Sequence, residues 1–152
     1  VDGVIFSGGN SLTFLDETAS DIAPERDEFE AELIDNLFSK GIPIIGVCRG
    51  MQVINYYFGG SFNRVSGHVA KTHELKSLSN SIKLPKVVNS FHGWGLTEND
   101  LAPYLQPLAK DLDGNIEAFI NDNETVLGIM WHPEREPSFN QHDINLIKRI
   151  LK

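Results

Sequence analysis

The stretch "IPIIGVCRGMQVINYYFGG", residues 42–60, limits this chain more than any other. Its unbroken apolar start reads as a strand buried on both faces, and directly after it the pattern becomes helical. Only a tight strand-to-helix turn joins the two. That turn is Gly46-Val47-Cys48-Arg49-Gly50, a G-x-C-x-G sequence around the single cysteine of the chain. Upstream, "VDGVIFSGG" at residues 1–9 is a second apolar strand ending in glycines. Between the two strands, "PERDEFEAELIDNLFSKG" sets Phe29, Leu33, Ile34, Leu37 and Phe38 at helical spacing, with Pro24 and Gly41 as start and stop signals. Strand, helix, strand, sharp turn and helix predict an α/β fold: a doubly wound, mostly parallel open sheet flanked by helices, with right-handed crossovers.

Beyond residue 60 the pattern shortens. "SFNRVSGHVAKTHELKSL" through "VVNSFHGWGL" alternates in short stretches and predicts a smaller antiparallel hairpin region. "GNIEAFINDNETVLGIMWHPE" predicts two strands around the turn "NDNE", and "DINLIKRILK" a closing amphipathic helix. No repeat or linker interrupts the chain, so residues 1–152 are expected to form one catalytic domain. The chain opens inside a strand and without methionine, which suggests a missing upstream segment.

Charge and composition narrow the function. A net charge of -8 without any basic stripe argues against nucleic acid as a partner. No apolar run approaches the roughly 20 residues of a membrane helix, so no membrane partner is expected. One cysteine forms no internal disulfide, which fits a reducing, cytoplasmic setting. A small-molecule substrate is the expected partner, and a homodimer is compatible with the sequence.

Three strand ends carry chemistry. A G-x-nucleophile-x-G elbow holds its central residue in a strained turn, which would present Cys48 at the N-terminus of the next helix. The helix end should favour thiolate, and lowering an ordinary cysteine pKa by about two units takes roughly 2.7 kcal/mol. A base is offered by "MWHPE": His132 follows an apolar strand, and Glu134 stands close enough to orient its ring. "FSGGN" supplies glycine N–H groups at the end of the first strand, which with the N–H of Arg49 would form a two-donor oxyanion hole. Each feature alone is weak: a buried structural cysteine, a chance His-Pro-Glu, a generic turn. Their conjunction at three strand ends favours catalysis.

Other residues stay open. His68 and His73 in "GHVAKTH" are ligand types, but no Cys, His or carboxylate cluster accompanies them in the sequence. No metal and no cofactor are therefore expected. The Arg49 side chain is either a substrate contact or an ion-pair former, Trp94 either pocket lining or core. Glu25, Arg26 and Asp27 read as a solvated helix start.

Together these motifs resemble the class I glutamine amidotransferases, whose hallmark is a G-x-C-x-G elbow with a downstream H-P-E. "RDEFE", "IPIIGVCRGMQVINYYFGGSF", "DGNIEAF" and "LGIMWHPE" bring the chain nearest to the γ-glutamyl hydrolase branch, including enzymes that cleave γ-glutamyl-γ-aminobutyrate. The resemblance implies a flavodoxin-like fold lacking an N-terminal strand. It implies that Cys48 attacks a γ-carbonyl, that His132 protonates the leaving amine with Glu134 orienting it, and that water resolves a glutamyl thioester. It also makes Gly9 and Arg49 the backbone donors of the oxyanion hole, with Gly8 as the fallback for the first, and places Gln52 and the Ser90–Phe91–His92 segment of "VNSFH" at the glutamyl group. Many relatives read His-His-Gln where this chain has "HGW", so only His92 keeps its position.

The sequence thus favours a stand-alone cysteine hydrolase of γ-glutamyl amides, releasing glutamate and an amine. The alternative is a glutaminase subunit that supplies ammonia to a partner synthase. A non-catalytic sensor on the same fold is disfavoured by the complete Cys48, His132 and Glu134 set.

Overall fold

Burial on both faces decides which segments become central strands. The computed structural model describes all 152 residues. Strand β1 (Val4–Phe6) leads through a long loop into helix α1 (Pro24–Ser39), strand β2 (Ile44–Val47) and helix α2 (Arg49–Tyr57). Short strands β3 (Asn63–Arg64), β4 (Val69–Glu74), β5 (Lys76–Ser77), β6 (Val87–Phe91) and β7 (Trp94–Gly95) follow. Strands β8 (Gln106–Lys110), β9 (Ile116–Ile120) and β10 (Val126–Ile129), a 3-10 turn at Pro133–Arg135 and helix α3 (Gln141–Leu151) complete the chain.

Six strands form one sheet in the order β1-β2-β10-β9-β8-β5. The first three are parallel, in register Phe6↔Gly46 and Gly46↔Gly128, and the rest pair antiparallel. The α/β prediction therefore holds, with a mixed sheet whose antiparallel share is larger than the pattern conveyed. The reason is physical: β9 is buried at every position, and an antiparallel strand covered on both faces has no polar alternation to reveal it. Gly46 and Gly128 face α2 on one side of the sheet. On the other, Ile45, Val47 and Ile147 of α3 line a cavity of about 290 Å³. Helices thus cover both faces, and one cluster of 30 buried apolar residues forms the core.

The predicted hairpin region is two separate ribbons, β4 with β6 and β3 with β7, outside the main sheet. In α1 the buried face is rotated from the apolar pattern: Phe29 is 62% exposed, while Glu30 is buried beside Ile34 and Leu37. An acid on the inner face needs a partner, and Arg49 is that partner. No helix is long and apolar enough to cross a membrane.

Candidate active site

The glycines of the elbow are there because two backbones nearly touch. A Cβ on Gly46 would lie 2.4 Å from the carbonyl carbon of Gly50, and one on Gly50 would lie 2.1 Å from the Phe6 carbonyl oxygen. Real Cβ contacts are never so short, so β1, β2 and α2 close together only around glycine. Cys48 sits at the apex with φ 50° and ψ -102°, a left-handed conformation that a side chain adopts only when its surroundings impose it. Its N–H donates to the Ile129 carbonyl at 2.8 Å, and its carbonyl accepts from the Gln52 N–H at 3.1 Å. The elbow is thereby fixed both to the end of β10 and to the first turn of α2.

Register carries the rest. Phe6, Val47 and Ile129 end three adjacent parallel strands, so Gly8, Cys48 and His132 emerge from the same sheet edge, where active sites of open α/β folds gather. A Cβ on Gly8 would lie 2.6 Å from Cε1 of His132, which shows how closely the glycine loop backs the ring. His132 is buried, and its Nδ1 lies 2.6 Å from Glu134 Oε1. With Nδ1 donating to that carboxylate, Nε2 remains as the nitrogen that can exchange a proton. Phe91 packs edge-on against the ring at 5.8 Å, and the Arg135 guanidinium lies over the Phe91 ring at 4.3 Å.

A residue the sequence did not single out holds His132 in place. Asn89 on β6 accepts the His132 N–H at 2.8 Å and donates to the His132 carbonyl at 2.8 Å, and it also donates to Glu136. Its only sequence signal is its place in "VNSFH".

Electrostatics at Cys48 run against the expectation of a lowered pKa. Burial pushes the thiol up to about 11, while the Arg49 N–H and the Arg135 charge pull only partly in the other direction. Desolvation of an anion outweighs one helix end, so the resting side chain is a neutral thiol.

The glycine loop and Arg49 are tied into one network. The Arg49 side chain is 2% exposed and bonds Glu30 and Asp27, which resolves its open role in favour of a buried ion pair. Its backbone N–H is thereby left beside sulfur. Asp27 also accepts the Thr13 N–H at 2.9 Å, and Arg26 bonds Asn10 Oδ1 at 2.9 Å and reaches the Ser7 and Gly8 carbonyls. Arg26 and Asp27 are therefore not a solvated helix start; they brace the loop that contains Gly8 and Gly9. Gly9 has φ 143°, with Arg26 packed where a side chain would be.

The remaining candidates lie around Trp94. Gln52 is buried and donates to the Trp94 carbonyl at 3.1 Å, and His92 Nδ1 lies 2.9 Å from the same oxygen. The Ser90 hydroxyl donates to the His68 carbonyl at 2.7 Å. The Trp94 ring is neither core nor pocket lining as such: it is half-buried beneath the Arg64 guanidinium at 4.2 Å. One expectation is overturned here. His68 and His73 do have companions, because the fold brings His92, Asp111 and Glu117 to them.

The architecture as a whole is that of the glutamine amidotransferases. It superposes on the crystal structure of a glutamine amidotransferase from Thermotoga maritima with a TM-score of 0.70, covering 95% of this chain and 59% of that one at 20% identity. The sequence narrows the class: residues 1–134 match the Peptidase C26 family, to which this chain belongs. It is 34% identical over 144 residues to the gamma-glutamyl-CDP-amidate hydrolase of Campylobacter jejuni, covering 95% of this chain and 68% of that enzyme. It is also 31% identical over 149 residues to a glutamine-hydrolysing GMP synthase of Streptococcus pneumoniae, covering 93% of this chain but 26% of that protein. Amide-bond hydrolysis of the glutamine amidotransferase type is the chemistry of this family.

Proposed function

We propose that the chain is a stand-alone hydrolase of γ-glutamyl amides, with Cys48 as nucleophile, His132 as acid and base, and Glu134 as orienter. The observation that carries this reading is the convergence of Gly8, Cys48 and His132 at the ends of three adjacent parallel strands, with His132 bonded to Glu134 at 2.6 Å. In this mechanism the substrate displaces water from Cys48, and the thiol proton passes to Nε2 of His132 as sulfur bonds to the γ-carbonyl carbon. The oxyanion so formed is met by the N–H groups of Arg49 and Gly9, with Gly8 as the other candidate donor. His132 then protonates the departing amine. Water, deprotonated by the same nitrogen, cleaves the thioester and releases glutamate. Gln52 and the backbone of the Ser90–Phe91–His92 segment surround the glutamyl portion in this reading.

A neutral resting thiol is compatible with this route, because the proton leaves during attack and no standing thiolate is required. Turnover of a panel of γ-glutamyl amines, followed by release of glutamate, tests the proposal. Cys48→Ala should lower kcat/KM by roughly 10⁴-fold or more; full activity in that variant would overturn it. The similarity to a GMP synthase supports a second reading, glutamine hydrolysis in service of a synthase. Free-standing turnover of γ-glutamyl amines without turnover of glutamine would reject that second reading.

A further inference from the structure

Behind the ribbon that carries Asn89 and Phe91 lies a set of side chains that the hydrolytic mechanism does not use. His68 precedes β4, His73 lies on it, His92 follows β6 and Glu117 lies on β9. Asp111, just after β8, joins them. All but the partly covered His73 are buried, and Glu117 is 0% exposed. Ligand atoms of His68, His73, Asp111 and Glu117 fall within 4.8 Å of one another.

These groups do not satisfy one another. Seven buried side-chain polar atoms in the chain have no hydrogen-bond partner, and five belong here: His68 Nδ1, His73 Nε2, His92 Nε2 and both oxygens of Glu117. A buried carboxylate that meets three imidazoles only at ion-pair distance, without one short hydrogen bond, is a loosely matched arrangement that calls for an explanation. The spacings supply one. His73 Nε2 is 3.4 Å from Glu117 Oε2, while His92 Nε2 and His68 Nδ1 are 3.6 Å and 3.9 Å from Oε1. These are longer than a good N–H···O bond, at roughly 2.7–3.2 Å. They lie near the roughly 3.4 Å that separates the ligands of a tetrahedral zinc with bonds of about 2.0–2.1 Å.

The outer hydrogen bonds agree. His92 Nδ1 lies 2.9 Å from the Trp94 carbonyl, which accepts its proton. Nε2 then faces Glu117 at 3.6 Å, where a cation between the two would satisfy both. His68 presents Nε2 to Asp111 Oδ2 at 3.4 Å, which turns Nδ1 toward Glu117. Asp111 is in turn held by the N–H groups of Asp113 and Asn115 and by the Asn115 side chain. An imidazole whose far nitrogen is held by a carbonyl or a carboxylate is the usual support of a metal-ligating histidine.

We propose that His68, His73, His92 and Glu117 form a binding site for a divalent cation of the zinc class, with Asp111 and the Trp94 carbonyl as its outer shell. The chain itself supplies four ligands, which is the pattern of a structural rather than a catalytic zinc site. Its ligands come from both sides of one seam: His68, His73 and His92 flank the β4–β6 ribbon, and Glu117 belongs to the main sheet. A two-stranded ribbon is marginal alone, and β4 is exposed along almost its whole length. The cation would staple that ribbon to the sheet and so hold Asn89 against His132, without touching any reacting atom.

The test is metal uptake by the whole chain carrying Cys48→Ala, which removes the one competing thiol. After chelation, dialysis against zinc and desalting, mass spectrometry of the metal should find close to one zinc per chain. Glu117→Gln and His73→Gln, each checked by circular dichroism for native fold, should lower it at least tenfold; His73 is the partly exposed ligand and its variant the milder one. Zinc should also slow hydrogen exchange across 69–74 and 87–91 at least tenfold in the parent chain. Less than a tenth of an equivalent bound by the folded Cys48→Ala chain would overturn the proposal. So would a full equivalent retained by both ligand variants, or unchanged exchange in the ribbon.

Discussion

The parallel half of the sheet and the region around β9 treat buried polar groups in opposite ways. At the ends of β1, β2 and β10 the main groups are matched: Arg49 to Asp27 and Glu30, His132 to Glu134, and the His132 backbone to Asn89 on both sides. Around Glu117 five buried atoms face one another without a hydrogen bond. A matched network fixes geometry for chemistry. A looser one, built of imidazoles and carboxylates alone, suits a set of ligands, and the difference lies in spacing as well as in residue type.

The strongest way to break the first region is steric. Gly50→Ala drives a methyl to 2.1 Å from the Phe6 carbonyl oxygen, and neither backbone has room to yield. A loss of about 3 kcal/mol or more is expected, read as a fall of roughly 6–12 °C in the unfolding midpoint. Gly41→Ala is the control: its φ of 65° is also unfavourable, but nothing lies within 4 Å of the new atom. It should cost about 1 kcal/mol.

Charge removal sharpens the contrast, because the same isosteric change should act with different magnitudes in the two regions. Glu30→Gln leaves the buried Arg49 guanidinium with Asp27 alone and should cost about 2 kcal/mol. Glu117→Gln in the metal-free chain loosens contacts to imidazoles that stand 3.4–3.9 Å away, so the loss should be clearly smaller. Denaturant unfolding of the two variants in chelator decides the matter. Equal losses in both would mean that Glu117 is as well matched as Glu30.

Asn89→Ala tests the hinge between the regions. It frees both backbone groups of His132, so we expect about 1–3 kcal/mol of lost stability. If Asn89 positions the base, kcat should fall by roughly 10-fold to 100-fold with KM little changed. A fall in stability with kcat preserved would make Asn89 structural only.

The elbow could be read from the sequence because its cause is local. Gly46, Cys48 and Gly50 are close in the chain, and the collision at Gly46 is with the Gly50 backbone inside the same turn, although the one at Gly50 comes from Phe6 on the neighbouring strand. His132 and Glu134 could be read for the same reason, as a short motif after an apolar strand. The Glu117 cluster could not, because its members at 68, 73, 92, 111 and 117 meet only through the pairing of β4 with β6 and the placement of β9. The rotated face of α1 was hidden differently. Phe29 looks like core and Glu30 like surface until Arg49 is known to need a buried acid. The Cys48 pKa was misjudged because a helix end can be read from sequence, whereas depth of burial cannot.

That pKa gives the cleanest test. The folded chain holds the Cys48 thiol at about 11, whereas an unfolded cysteine titrates near 8.5. The folded state thus binds the proton more tightly, so this stabilisation is fully present below about pH 8.5 and is lost as pH rises through 11. By linkage the loss reaches about 2 kcal/mol at pH 10 and about 3 kcal/mol above pH 11. Other groups also titrate in this window, so the parent must be compared with Cys48→Ala, in which this part of the alkaline decline should vanish. Alkylation gives an independent reading: the rate for a thiol held near 11 should still climb about tenfold per pH unit between pH 8 and 10, where an exposed cysteine levels off. A plateau below pH 8 would mean that the resting nucleophile is already a thiolate. The matched half of the molecule would then stabilise an anion at Cys48 as well as orient a base.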